Sequence, residues 1–243
     1  MKKSLLIVGL LLAMSLTASA QNNGFAFGFK LGPGFDWTGS TTGAAKSEGM
    51  KMGFGVGVVA EYYFADNYAI VSGVNVNMYR GHYSFDNGRM VMGADSVAVL
   101  ETYPVDRVFK STVYEVPLML KMMTNELGNL PRRAYAQVGA GIGYAQKVKV
   151  KDDTADAWMA TDKEFSNLRA SLKIGAGAQY AIDESTRVFA GLYFSHDFLN
   201  NINSIAPNHY KFYFDENGDK VGERETKLNM LQNRIGIEVG VLF

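Results

Sequence analysis

The chain has 243 residues, 47% of them hydrophobic and 12% aromatic, with 26 Gly, 5 Pro and no Cys. Its 24 basic and 24 acidic side chains cancel, so the basic footprint of a nucleic-acid binder is absent. Ordinary hydropathy excludes a disordered chain, and the missing Cys excludes disulfide scaffolds, thiolate metal sites and Cys nucleophiles.

The first twenty residues read as an address. Lys2 and Lys3 precede an apolar and Gly run from Leu5 to Met14, and Ala18-Ser19-Ala20 has the small-x-small form of a cleavage site. The pattern predicts a secretory signal peptide over 1–20, too short to span a bilayer, followed by one domain over 21–243. No later stretch is apolar for the length of a transmembrane helix.

Beyond residue 20 the chain alternates with period two. Eight strands are predicted, over 24–37, 50–64, 68–83, 112–123, 134–148, 168–180, 187–198 and 230–243. Each is long enough to cross a membrane as a tilted strand. In the second, Met52, Phe54, Val56, Val58, Ala60, Tyr62 and Phe64 share one face, while Lys51, Gly53, Gly55, Gly57 and Glu61 share the other. In the sixth, Leu168, Leu172, Ile174 and Tyr180 alternate with Arg169, Lys173, Gly175 and Gly177. A soluble sandwich places bulk inside and polar groups outside. Here the polar face is crowded with Gly, as in the interior of a narrow barrel, which turns the bulky apolar face toward lipid.

The connections alternate in length. Gaps 38–49, 84–111, 149–167 and 199–229 are long, and 65–67, 124–133 and 181–186 are short, as in barrels with short periplasmic turns and long extracellular loops. Aromatics near strand ends, namely Trp37, Tyr62, Tyr63, Phe64, Tyr68, Tyr79, Tyr83, Tyr144, Tyr180 and Phe198, are expected to form interfacial girdles. The predicted fold is all-β: an eight-stranded antiparallel up-and-down transmembrane β-barrel of the outer-membrane type, located in a Gram-negative outer membrane. Pro117 sits inside a strand and forfeits a ladder hydrogen bond, so a bulge or local distortion is expected there.

Chemistry concentrates on the inward face. Lys30, Glu61, Glu115, Lys121, Arg169, Lys173, Arg234 and Glu238, with Arg187, are charges that must pair or meet water. They form either a salt-bridge and hydrogen-bond network filling a closed interior, which eight strands favour, or an ion-conducting lumen with a basic bias. Ser195-His196-Asp197 is a triad in letters only, because neighbouring strand residues face opposite ways. His82 and His209 fall at or in loops, where they are expected to be solvated. Asp215, Asn217 and Asp219 open like a calcium loop, but Lys220 and Thr226 occupy its glycine and bidentate glutamate positions. A hairpin fits better, with arms 211–215 and 220–224 around an Asn217-Gly218 turn. No cofactor, metal or catalytic group is expected.

The run Tyr114-Glu115-Val116-Pro117-Leu118-Met119-Leu120-Lys121 resembles the E-[IV]-P-L-x-x-K strand of PorT-like outer-membrane β-barrel proteins, small eight-stranded barrels often labelled porin family. Gly28-Phe29-Lys30-Leu31-Gly32, Gly139-Ala140-Gly141-Ile142-Gly143 and Arg234-Ile235-Gly236-Ile237-Glu238-Val239-Gly240 extend the likeness over nearly all of 21–243. Phe243, closing an alternating strand, resembles the targeting signal read by the barrel-assembly machinery. The resemblance implies fold and location well and function poorly. The expected partners are outer-membrane lipid, the assembly machinery and an envelope protein met through loops 84–111 and 199–229. Segment 84–111, with Val97, Val99, Leu100, Tyr103 and Val105, is either a hairpin continuation packed against 199–229 or a partner-binding surface. The function expected first is a non-enzymatic structural or partner-binding barrel. A narrow channel, a component of a secretion assembly and, last, a lipid-modifying enzyme are the alternatives.

Overall fold

The computed structural model describes residues 24–40, 45–92, 98–127, 132–152, 159–160, 165–201, 209–214, 220–226 and 229–243. The candidate signal peptide, 1–20, lies outside these residues.

Eight strands form the wall: β1 (Phe25–Gly39), β3 (Lys51–Ala65), β4 (Tyr68–Met92), β5 (Ala98–Met123), β6 (Arg132–Asp152), β8 (Leu168–Ala181), β9 (Arg187–Asp197) and β12 (Leu231–Leu242). Each pairs antiparallel with its neighbour in the wall, and β12 returns to β1 to close the ring. Two short pieces, β2 (Ala45–Ser47) and β7 (Met159–Ala160), pair onto β4 and β6. A separate hairpin joins β10 (His209–Phe214) to β11 (Lys220–Thr226). Closure satisfies every strand edge inside the bilayer, where water is not available to do so.

The period-two pattern accounts for the wall. Phe29, Leu31 and Phe35 of β1, Phe54 and Val58 of β3, Val116, Leu118 and Leu120 of β5, Leu172 and Ile174 of β8, and Ile235, Ile237 and Val239 of β12 are all exposed outward. The intervening residues turn inward, where Gly makes room for long charged side chains. A Cβ placed on Gly53 would stand 2.1 Å from Asp36 Oδ2 and 2.3 Å from Arg234 Nη2. Only a residue without a side chain fits opposite that pair.

The predicted loop 84–111 is mostly strand. β4 and β5 stay in one register from Asn75↔Glu115 through Tyr83↔Arg107 to Met92↔Ala98, so the hairpin continues well past the lipid-facing belt. The β10 backbone runs beside β4, which puts part of 199–229 next to this extension. In the β10–β11 hairpin, Lys211 opposes Arg224. The Asn217-Gly218 turn and the calcium-like positions 215–219 lie outside the described residues.

Polarity inverts along the extension. Within the belt the inside is charged and the outside apolar. Beyond it, Arg80, Lys110 and Lys149 are exposed, while Tyr79, Tyr83, Phe85, Phe109, Val113, Val148, Val150, Phe165 and Met230 pack together inside. The same alternation serves two solvents: apolar residues face out where lipid is outside and face in where water is. A register shift at Thr112/Val113, against Ala145 and Lys147, inserts Gln146 as an extra residue. This bulge lies beside Tyr114 and Tyr144, at the top of the belt.

Of the bulge or local distortion expected at Pro117 the structure has the second, and the aromatic girdle is smaller than expected. Pro117 causes no bulge: it pairs with Gly141 in unbroken register, and the β4 ladder holds one register from Ser72↔Leu118 to Asn75↔Glu115. The missing N–H instead leaves a gap in pairing between Gly73 and Val74 on β4 and the Pro117 stretch. The Ser72 hydroxyl donates to the Pro117 carbonyl at 2.8 Å, so the lapse is local and no residue is added. The girdle also loses three members. Tyr62, Phe64, Tyr68, Tyr144, Tyr180 and Phe198 are exposed, but Tyr79 and Tyr83 are buried inside and Tyr63 turns its hydroxyl to Glu61. Their odd positions on β3 and β4 place them on the inward face.

Candidate functional site

The lumen is the candidate site. Every strand of the wall lends it inward side chains, and among the described residues ten of them form five ion pairs. Near the periplasmic end Lys121 Nζ lies 2.7 Å from Glu61 Oε1 and donates to Gln179 Oε1 at 2.9 Å. The same ammonium stands 4.6 Å from the Tyr135 ring centroid. At mid-height Lys30 meets Glu238 at 3.5 Å, and Lys173 meets Glu115 at 2.8 Å. Gln137 and Tyr135 also donate to Glu238, and Asn75 donates to Glu115. Toward the extracellular end Arg169 pairs with Asp197 at 3.1 Å, and Arg234 grips Asp36 through Nε at 2.6 Å and Nη2 at 2.9 Å. Tyr79 lies against both guanidiniums, 5.3 Å from Arg169 and 4.0 Å from Arg234.

Eight of the nine inward charges singled out from the sequence are therefore in these pairs. Asp36 and Asp197 were missed, although each follows the inward parity of its own strand: Lys30 and Asp36 are six apart on β1, and Ser195 and Asp197 are two apart on β9. With them the five cations meet five anions. Within this paired layer the basic bias expected of a conducting lumen is absent. Arg187 lies apart from the pairs, at the periplasmic mouth, with its guanidinium 5.2 Å from the Tyr63 ring.

Charges removed from water are tolerated when paired and hydrogen-bonded. Here the pairs are also shut in by apolar side chains. Above them stands the cluster of Tyr79, Phe109, Phe165 and Met230. Around the Lys121–Glu61 pair Met119, Met123, Tyr135, Phe189 and Leu242 pack with Val59 and Val71. Between the two lies a cavity of about 40 Å³ bordered by Lys30, Asn75, Gln137, Lys173, Tyr193 and Glu238. That is room for very few waters and for no solute.

The histidines do not assemble a catalytic group with the serine and carboxylate beside them. Ser195 and Asp197 are buried in the lumen. His196 turns the other way, its Nδ1 2.6 Å from Asn233 Oδ1. His82, expected to be solvated at the end of its strand, is instead half-buried within β4, with its Nε2 enclosed and without a hydrogen-bond partner. His209 opens β10; its side chain lies outside the described residues. Among the described residues no group of three His, Asp or Glu side chains is placed to hold a metal.

Phe243 closes the wall. It exchanges two backbone hydrogen bonds with Phe27, at 2.7 and 3.1 Å, and its side chain is exposed at the periplasmic rim.

A family model described as outer membrane protein beta-barrel domain matches residues 19–243. Among solved structures the chain is similar to Neisserial surface protein A (NspA), with 15% identity, 90% of this chain and 97% of that one covered, and a TM-score of 0.44. It is similar to OprG from Pseudomonas aeruginosa, with 13% identity, coverage of 90% and 96%, and a TM-score of 0.40. It is also similar to the outer membrane protease OmpT from Escherichia coli, with 6% identity, coverage of 90% and 96%, and a TM-score of 0.41. No curated protein sequence matches the chain.

Proposed function

The chain belongs to the outer membrane protein beta-barrel domain family, and from that premise we propose that it is a non-enzymatic, non-conducting barrel with a structural or partner-binding role in the cell envelope. The observation that carries this reading is the filled lumen. Five ion pairs and two apolar clusters occupy its middle, where the cavity left over holds a few waters, and among the described residues wider cavities of about 230 and 550 Å³ open only at the mouth lined by Tyr63 and Arg187. The opposed directions of Ser195 and His196 support the non-enzymatic part of it.

Within the family, the Tyr114–Lys121 run supports a PorT-like affiliation. The 1–20 segment is read as the export signal, and Phe243 as the signal met by the barrel-assembly machinery. Specificity is assigned to the outer ends of 84–111 and 199–229. The first projects as a long hairpin and β10 of the second runs beside its β4 arm, which suits an envelope protein partner better than a solute. No nucleic acid is expected as a partner.

Planar bilayer recording tests the reading. The refolded barrel is expected to leave the bilayer silent. Stable conductance steps that vanish on Lys173→Ala or Glu115→Gln would establish a channel instead.

A further inference from the structure

We propose that the periplasmic mouth of the barrel is a binding site for the carboxyl end of a short peptide. Two cavities of about 230 and 550 Å³ open there and share Tyr63, Arg133, Glu184 and Arg187 as walls. The two guanidiniums flank β8 at successive inward positions: Arg133 is the register partner of Gln179, and Arg187 is the register partner of Ala181. Both arginines are half-buried. Each sits one inward position outside a residue of the lower apolar cluster, Tyr135 on β6 and Phe189 on β9. Both therefore look into the mouth and not out at lipid.

Two features select a peptide carboxylate. The first is an unbalanced charge. Deeper in the lumen Lys30, Lys121, Arg169, Lys173 and Arg234 each have an anion. Among the described residues neither Arg133 nor Arg187 forms an ion pair, and the adjoining segments 21–23 and 128–131 contain no Asp or Glu. Arg133 spends one N–H on the Asp66 carbonyl, at 3.0 Å. Arg187 stands over the Tyr63 ring, which its own hydroxyl ties to Glu61. A guanidinium over a ring keeps its edge N–H donors for a planar carboxylate, which it takes through two parallel bonds. Phe243 also borders the larger cavity, but its backbone is bonded to Phe27. The second feature is the order of the charges. The carboxylates of this mouth, Glu126, Asp183 and Glu184, are exposed in the connections that form its rim. The half-buried arginines lie further in, with Met123 and Leu242 beside them. A peptide entering by its carboxyl end meets guanidinium at the bottom, apolar surface along its side chains and carboxylates at the rim for an ammonium group. A simple anion would use only the first of these. The larger cavity has the size of a small-ligand site.

The inference rests on the transmembrane reading of the barrel, with this mouth in the periplasm, and not on a silent lumen. Full-length barrel folded in dodecyl maltoside is titrated by calorimetry with the tripeptide Lys-Ala-Ala and with the same peptide amidated at its carboxyl end. The free acid is expected to bind, and the amide to bind at least about tenfold more weakly, the usual loss for a hydrogen-bonded charge. Arg133→Gln and Arg187→Gln should each weaken the free acid by a similar factor. Arg132→Gln, beside Arg133 but exposed on the outer face, should leave it unchanged. The rim pair Glu126→Gln with Glu184→Gln should weaken it by about two- to fivefold, as exposed charges do. Heat-modifiable gel migration of each variant reports the barrel separately, so failure of the fold is distinguished from failure of the site. In the unmutated protein the tripeptide is expected to shield Arg133 and Arg187, but not Arg132, from phenylglyoxal, read by mass spectrometry. No binding at millimolar peptide, equal binding of acid and amide, or binding that survives in both arginine variants would overturn the proposal. Acetate that displaces the tripeptide at equal concentration would reduce the mouth to an anion trap and overturn it as well.

Discussion

Arg234 and Asp36 face each other across the seam that closes the barrel. They are register partners on its last and first strands and are joined by two hydrogen bonds, at 2.6 and 2.9 Å. Both are almost wholly buried, at 1% and 0% exposure. The pair forms only when β12 meets β1, so it reports closure itself. Arg234 also donates to the Met78 carbonyl, and Asp36 accepts the backbone N–H of Arg80, which ties the seam to β4 across the lumen. Removing one partner leaves the other charge buried, at a cost of about 3–5 kcal/mol. Asp36→Asn is therefore expected to lower the urea midpoint of the barrel in lipid vesicles, read as the folded fraction on an unheated gel. Replacing both, as Asp36→Leu with Arg234→Met, should restore much of the loss, because two apolar groups need no solvation.

The small residue opposite that pair makes a second test. A Cβ at Gly53 meets both charged partners, as well as the Met78 carbonyl at 2.8 Å. A Cβ at Gly39 meets a single atom, Asn233 Nδ2, at 3.4 Å. Gly53→Ala should destabilise by the amount typical of overpacking, about 1–3 kcal/mol, while Gly39→Ala leaves the midpoint nearly unchanged. Equal effects on the gel-shift titration would show that the inward glycines are not there to make room.

Much of this architecture was legible in the sequence because a strand's period is two and the membrane enforces it on both faces. Wall strands, closure and the inward charges all follow from parity. Asp36 and Asp197 obey the same parity and were missed for lack of a neighbour to draw attention: the first sits beside Trp37, the second inside a misleading Ser-His-Asp string. Partner choice was not legible at all, because strand pairing joins residues as far apart as Asp36 and Arg234. The long β4–β5 extension was hard to read for another reason. Outside the bilayer the apolar face moves inward, so one continuous alternation changes meaning at the bulge near Gln146, and Tyr79 and Tyr83 pass from apparent girdle to interior.

The upper seal gives a third prediction. Phe109 is buried among Tyr83 and Phe165, with ring centroids 6.2 and 5.7 Å away. Phe109→Ala should cost about 3–5 kcal/mol. It should nonetheless leave the bilayer silent, since the ion pairs and the lower cluster of Met119, Met123 and Phe189 still fill the passage. Conductance appearing in this variant would mean that the extracellular apolar cluster is the whole barrier and the charged layer below it is permeable.

The turn between β8 and β9 supplies a pH-dependent prediction. Asp183 Oδ1 accepts the backbone N–H groups of Ser185 and Thr186, at 2.8 and 2.7 Å, and the Ser185 hydroxyl at 2.9 Å. These donors favour the ionised carboxylate, so its pKa lies below the ordinary Asp value, the Ser185 N–H being the largest cause. A group whose folded pKa is depressed adds stability that is present above the unfolded value, about 3.9, and fades as pH falls through the folded one. Wild type should therefore be more stable than Asp183→Ala by a constant margin above about pH 5, and the margin should shrink as pH drops below about 4. The residue is fully exposed, so the effect is small and is best read by NMR titration of the Asp183 carboxyl in detergent micelles. A midpoint at or above the ordinary Asp value would show that the turn does not hold the charged form.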